Sequence, residues 1–258
     1  MNWLTSFLKS SIGKKLLMGL TGLFLCTFLI AHMVGNLQLF NKDFGLSFNV
    51  YAVFMTTNPL IKGVSYGLYA MILFHAFWGF YLIFQNKKAR PTAYAKVDGS
   101  ANSSWASRNM GLLGTIVLAF IVVHMSVFWA QYKFGEVPYT DYHINLTDGN
   151  IAAFPYDGKI AGKMEKFTEE GFERVIVKDL YAIVFDAFQN PFVVIFYVLS
   201  MVAIAFHLIH GFSSAFQTLG INSKKYNPLI KNIGIFVFGI IIPLLFASMP
   251  VYFLLFNN

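Results

Sequence analysis

Charge is scarce in this chain: Asp, Glu, Lys and Arg make up 12% of 258 residues, against about 25% in soluble proteins. Charges are missing altogether from stretches of about twenty residues, the length a helix needs to cross roughly 30 Å of hydrocarbon, and no carboxylate falls well inside any of them. With 57% hydrophobic and 18% aromatic residues, the composition excludes an ordinary soluble domain and places the chain in membrane lipid. Cysteine is almost absent. Cys26 alone, inside an apolar run, excludes a disulfide framework, a thiolate metal cluster and a Cys-x-x-Cys-His haem attachment. No small-residue cleavage site follows the first apolar run, which is also too long for a signal peptide, so it reads as a retained helix. The net charge of +7 would suggest nucleic acid in a soluble protein. Here the basic residues flank apolar segments, where they set topology instead.

The apolar runs predict spans near 16–38, 63–85, 109–131, 191–216 and 231–255. The fold class expected is an all-α, integral membrane bundle of five transmembrane helices, forming one domain over 1–258. Lys9, Lys14, Lys15, Lys87, Lys88, Arg90, Lys96, Arg108, Lys224, Lys225 and Lys231 fall in the joints on one side, with Asp98 as their only carboxylate, while Asp43 and the acids from Glu136 through Asp186 fall on the other. The positive-inside rule therefore puts the N-terminus in the cytoplasm. The segment 132–190 is too long for a bare connection, and its Phe-Thr-Glu-Glu and Val-Lys-Asp-Leu-Tyr stretches read as short amphipathic helices over the outer face. Asn58-Pro59, Asn190-Pro191 and Asn227-Pro228 each precede a span and read as helix caps followed by a first-turn proline.

Five of six histidines, His32, His75, His124, His207 and His210, lie inside predicted spans, where ionisable groups are costly and mark function. One such histidine is accounted for by a hydrogen bond to a neighbouring helix; a histidine in each of the first four spans and none in the fifth demands a shared cause. Depth sorts them. His32 and His124 each lie about sixteen residues beyond a basic edge, at Lys15 and Arg108, or about 24 Å of helix rise. His75 and His207 each lie sixteen residues after Pro59 and Pro191. The result is an outer pair, His32 with His124, and an inner pair, His75 with His207. Two imidazole pairs at two depths suit the axial ligation of iron in two haems, with no position open for oxygen or substrate, and hence electron transfer. Zinc wants more ligands, and a proton relay usually recruits carboxylates. His210, three residues after His207, faces nearly the same way and is the alternative inner ligand or a contact of the haem propionates; the Asn-Pro spacing favours His207. Arg108 and nearby lysines are candidate propionate partners on charge grounds. Gly35, Gly79, Gly111, Gly114 and Gly211 near the histidines fit close packing round a flat macrocycle, though glycine is common in membrane helices. Phe74, Phe77, Trp78, Phe128 and Trp129 read as lipid-facing or interfacial residues, and His143, beside Asp141 and Tyr142, as solvated.

With these residues in place, the chain resembles the dihaem cytochrome b membrane-anchor subunit of succinate:quinone oxidoreductases, the succinate dehydrogenase and fumarate reductase family. The resemblance covers nearly the whole chain. His75-Ala76-Phe77 is similar to the second-helix ligand motif, and His207 with Gly211 and Gly220 matches the fourth-span ligand and its glycines, which His210 does not; Ser107-Arg108 and His32-Met33 are less specific. The resemblance implies two haem b groups, a quinone, menaquinone by expectation, as substrate, and flavoprotein and iron–sulfur subunits carrying FAD and iron–sulfur clusters on the cytoplasmic side of a bacterial inner membrane. It implies a place in the respiratory chain and the tricarboxylic acid cycle, and a chain that does not itself bind succinate. Fumarate reductases of this group carry a glutamate two residues before the fourth ligand, where this chain has Ala205, which tilts the expectation toward succinate oxidation. Two other classes stay open: a haem b subunit of a hydrogenase or formate dehydrogenase, and a histidine-dependent transporter, against which the absence of paired interrupted spans counts.

Overall fold

The computed structural model describes residues 2–89, 92, 101 and 103–256; Arg90, Lys96 and Asp98 of the basic joint lie outside them. After α1 (Trp3–Lys9), five helices among the described residues are long and apolar enough to cross a membrane, and the chain is a multi-pass membrane protein. The first combines α2 (Ser11–Asn36) with a 3-10 turn (Leu37–Phe40), and α3 (Leu46–Thr57) follows it. The second is α4 (Pro59–Lys88). Beyond the four-residue α5 (Trp105–Arg108), the third span joins α6 (Met110–His124), a π-helical segment (Met125–Ala130) and α7 (Gln131–Phe134). Strands β1 (Tyr139–Asn145), β2 (Ile151–Tyr156), β3 (Met164–Glu169) and β4 (Phe172–Lys178) come next, then α8 (Leu180–Phe188). The fourth span is α9 (Pro191–Thr218); the fifth joins α10 (Asn227–Asn232), a second π segment (Ile233–Ile241) and α11 (Ile242–Phe256). All five match the sequence expectation to within a few residues at each end. Leu20, Phe24, Leu73, Phe77, Val122 and Leu199 stand exposed along them, a surface that water would not tolerate and lipid solvates.

Two of the three Asn-Pro signals start helices as expected. Asn58 Oδ1 accepts the N–H groups of Leu60 (3.0 Å) and Ile61 (3.3 Å), and Asn190 Oδ1 accepts that of Phe192 (3.0 Å), satisfying first-turn donors that have no helical acceptor. The third differs: Asn227 is already helical and its side chain reaches Asn222 instead (2.7 Å). At the far end of α9, Gly220 at φ +80° lets the N–H of Ile221 return to the carbonyl of Phe216 (3.0 Å), a left-handed stop that glycine makes without strain. In the fifth span, Ile242 donates to Val237, five residues back, and Pro243 follows with no N–H to give, which accounts for the π register there.

The chain divides into two compact units, Met1–Ala31 with Gly67–Phe120 and Tyr197–Ala247, and His32–Tyr66 with Ile121–Phe196 and Ser248–Asn258. In the first, small residues bring two backbones together: a Cβ on Gly19 would lie 3.4 Å from the Cα of Ala215. Such close approach is the main route to helix association where lipid removes the hydrophobic drive. Ala106, Leu113 and Ala203 form a buried cluster there, Lys14 Nζ donates to Gln85 (2.7 Å), and the Trp78 indole N–H donates to the Lys14 carbonyl (3.0 Å).

The second unit holds a four-stranded antiparallel sheet ordered β2-β1-β4-β3. This corrects the helical reading of 132–190. Phe167-Thr-Glu-Glu runs along β3 into a turn, and Val-Lys of Val-Lys-Asp-Leu-Tyr ends β4; only from Leu180 does that stretch become the short helix α8. The cause is local chemistry. Glu170 (φ 48°) and Gly171 (φ 85°) form a two-residue turn between paired Glu169 and Phe172, the positive-φ geometry that suits a tight hairpin, and Val175-Ile176-Val177 is a β-branched run. Tyr142, Val175 and Val177 pack with Val53 of α3 in the core of this unit. Asn49 of α3, fully buried, donates to Asp179 Oδ1 (2.7 Å) and to the Tyr142 hydroxyl (3.1 Å) and accepts the Tyr181 N–H (2.9 Å). Gly45 precedes α3 at φ +87°, and a Cβ there would meet the Tyr181 ring at 2.3 Å.

Candidate functional site

The histidines paired by depth in the sequence come together in the fold. In the second unit, His32 of α2 and His124, the last residue of α6, bring their ring centres to 5.8 Å with planes crossed at 86°. In the first unit, His75 of α4 and His207 of α9 stand 6.4 Å apart at 70°. Any edge-to-face ring contact falls in this range; what sets these two apart is that both members are imidazoles, on segments where polar groups are costly. The distance has a second meaning. An imidazole nitrogen lies about 1.1 Å from its ring centre and a metal–nitrogen bond is about 2 Å, so two imidazoles on opposite sides of one metal have centres about 6 Å apart. Both pairs meet that spacing.

The environment of each ring can be built from its neighbours. His75 Nδ1 lies 2.9 Å from the hydroxyl of Thr21, a buried residue of α2, and that hydroxyl also approaches the carbonyls of Leu17 (2.9 Å) and Met18 (3.0 Å). A hydroxyl has one proton; once it is given to a carbonyl, the oxygen can only accept from Nδ1–H. That fixes the tautomer with the Nε2 lone pair available as a ligand. Glycines stand against the two rings: a Cβ on Gly22 would lie 3.5 Å from His75 Cε1, and one on Gly114 3.5 Å from His207 Cε1. His207 Nδ1 is buried and, among the described residues, makes no hydrogen bond, which costs about 1–3 kcal/mol unless the imidazole binds a group supplied from outside. Beside His32, the Asn36 amide nitrogen lies 3.2 Å from Nδ1 and donates to the His32 carbonyl (2.7 Å). His124 meets Phe128 edge-on at 5.4 Å, and the π segment begins at the residue after it; π turns recur at functional sites.

His210 lies one turn beyond His207 and, among the described residues, takes part in no ring pair or hydrogen bond; the ring opposite His75 is His207. Arg108 is exposed at the end of α5 and its guanidinium donates to the Ser103 carbonyl. It stands six residues, about 9 Å of rise, before Gly114 at the His207 ring. His143 departs from its solvated reading: on β1 it is 30% exposed, with Nε2 3.2 Å from Asp141 and its ring edge-on to Phe154 at 4.9 Å. Asp141 is itself buried. Burial alone would raise its carboxyl, but the Arg174 guanidinium and His143 outweigh it and hold the pKa below the usual carboxylate value.

Of the glycines singled out in the sequence, only Gly114 meets a histidine. Gly35 faces Tyr51, Gly79 Met18, Gly111 Ile83 and Gly211 Met110. Thr21 and Gly22 are not legible as site residues in the sequence; their meaning comes only from the pairing of α2 with α4. Among the described residues no group of three or more His, Cys, Asp or Glu gathers for a metal ion; each candidate centre offers two imidazoles, the donor set of an axially ligated macrocycle. No protein-family model, curated protein or solved structure matches the chain.

Proposed function

We propose that the chain is the membrane-anchor and electron-transfer subunit of a succinate:menaquinone oxidoreductase in a bacterial cytoplasmic membrane, holding two b haems and serving a flavoprotein and an iron–sulfur subunit on the cytoplasmic side. The observation that carries this reading is the pair of imidazole pairs, at 5.8 and 6.4 Å, drawn from four separate spans. His32 with His124 would hold one haem and His75 with His207 the other, and each haem, when bound, would supply one-electron transfer. The chain's own residues orient and shield. Thr21 accepts the His75 Nδ1–H and leaves the Nε2 lone pair available, Gly22 and Gly114 keep a Cβ away from the Cε1 edges of His75 and His207, and the apolar spans exclude water. Arg108 is the candidate partner for a propionate of the His75/His207 haem, since both belong to the first unit.

Purification from native membranes in mild detergent tests the assignment of partners. The expected result is co-purification with a covalent flavoprotein and an iron–sulfur protein, and reduction of the cytochrome by succinate. A hydrogenase or formate dehydrogenase partner facing outward would replace this reading with the other haem b class. The Thr21 contact makes its own prediction. A hydrogen bond accepted from Nδ1–H raises ligand basicity, so Thr21→Val raises the midpoint potential of one haem and weakens its retention about 10- to 100-fold, whereas Thr21→Ser preserves both. A redox titration in which the two variants coincide with wild type removes Thr21 from this role.

A further inference from the structure

Four lysines of the second unit gather where, among the described residues, none forms an ion pair with a carboxylate. Lys62 is in the first turn of α4, Lys133 on α7, Lys163 just before β3 and Lys178 at the end of β4. The ammonium groups of Lys163 and Lys178 lie 5.1 and 4.9 Å from the centre of one ring, that of Tyr132. Lys163 donates to the Thr56 hydroxyl (2.9 Å) and Lys178 to the Tyr132 carbonyl (2.8 Å). The ion pairs among the described residues join Asp141, Glu169 and Glu173 to His143, Arg174 and Lys166; none reaches these four lysines. Burial, and then the neighbouring ammonium groups of Lys178, Lys62 and Lys133, lower the pKa of Lys163, and burial lowers that of Lys178. Tyr132 itself is 5% exposed, and its hydroxyl is buried beside that of Thr56, which Lys163 also reaches.

The cluster thus presents several ammonium N–H donors, with the Tyr132 and Thr56 hydroxyls beside them and no carboxylate ion-paired to any of the four lysines, the donor set that suits an oxyanion with several oxygens. Its position narrows the choice. Lys62 begins the second span and Lys133 ends the third, which puts both at the same membrane surface. Lys133 lies over Trp129 (5.0 Å) and Phe134 (5.5 Å), and Phe134 is 72% exposed; aromatic residues with lysines at span ends mark the headgroup level. A phosphodiester is the anion found at that depth, and each lysine near the surface adds attraction for an anionic headgroup. We propose that Lys62, Lys133, Lys163 and Lys178, with the Tyr132 hydroxyl, bind the phosphate of an anionic phospholipid. The inference does not depend on the haem reading.

Lipid retained by the full chain purified in detergent, measured by native mass spectrometry, tests it. Phosphatidylglycerol is the probe, with phosphatidylcholine and inorganic phosphate as comparison arms. Wild type is expected to hold one phosphatidylglycerol tightly. The double variant Lys163→Gln/Lys178→Gln should bind it about ten- to thirtyfold more weakly, and Lys224→Gln/Lys225→Gln, which removes the same charge elsewhere, should bind it as wild type does. Equal retention by the Lys163/Lys178 variant overturns the site, equal retention of phosphatidylcholine overturns the preference for an anionic lipid, and displacement by millimolar phosphate overturns the lipid in favour of a soluble anion. Should the double variant fail to assemble, Lys133→Gln, an exposed change, is expected to weaken retention about fivefold; no change there equally overturns the proposal.

Discussion

Alanine at His32, His75, His124 or His207 is expected to remove one haem, or leave it five-coordinate, while the other haem is retained. The expectation follows from how the donors are distributed. Each pair lies within one compact unit, His32 with His124 in the second and His75 with His207 in the first, so loss of one imidazole deprives one centre of half its axial ligands and leaves the other pair intact. Variants of one pair should therefore share a spectral phenotype, and variants of different pairs should differ in which component of the optical or paramagnetic spectrum disappears. Alanine at His210 should change little, because the ring facing His75 is that of His207. Haem content and electron paramagnetic resonance of the five variants, expressed side by side, read this directly. If His210→Ala removes a haem and His207→Ala does not, the inner ligand moves by three residues and the function stands. If no variant affects haem content or axial ligation, the pairs are edge-to-face ring contacts and nothing more.

The second large effect concerns Asn49. Its amide ties α3 to the Tyr142 hydroxyl on β1, to Asp179 at the start of α8, and to the Tyr181 N–H. Asp179 Oδ2 accepts from Thr140 (2.6 Å) and its Oδ1 also accepts the Ala182 N–H (2.9 Å), so the carboxylate is satisfied only while all of these donors are present. Asn49→Leu conserves volume roughly, yet leaves the Tyr181 N–H without an acceptor and the buried Asp179 short of one donor. The expected cost is about 3–5 kcal/mol, seen as a lower thermal midpoint in detergent and faster hydrogen exchange across β1 and β4. Because the network and the His32/His124 pair belong to the same unit, the haem of that pair should be lost before the other on heating. A change below about 1 kcal/mol, the scale of an exposed polar contact, would show that the network is not what secures the sheet.

How much of this could be read from the sequence depends on the range of the interaction concerned. The spans were legible because twenty charge-free residues in a row answer to one solvent, lipid, whatever the neighbouring helices are. The histidine pairing was legible because helix rise converts residue counts into depth without knowledge of side-to-side packing, and the Asn58 and Asn190 caps because capping is settled within three residues. The sheet is legible only in local turn chemistry: Asp148-Gly149 and Glu170-Gly171 are hairpin turns flanking β-branched strands, whereas segment length by itself points to short helices. Helix α3 escaped notice because its twelve residues are apolar yet too short to span; its role shows only when Val53 meets Tyr142 and Asn49 meets Asp179. Thr21 and Gly22 belong to a third kind, since their meaning depends on which face of α2 turns toward α4, and a nearly uniformly apolar helix carries no periodicity to say so. The π segment after His124 has no proline or glycine inside it to announce it.

The proposed binding of two b haems is read out by a reduced-minus-oxidised optical spectrum of the purified full chain combined with pyridine haemochrome quantification. Low-spin b-type bands, two non-covalent haems per polypeptide and two resolvable midpoint potentials are expected. A purified, folded chain with no haem absorbance, or one whose haem is high-spin with an open axial position, would contradict the proposal.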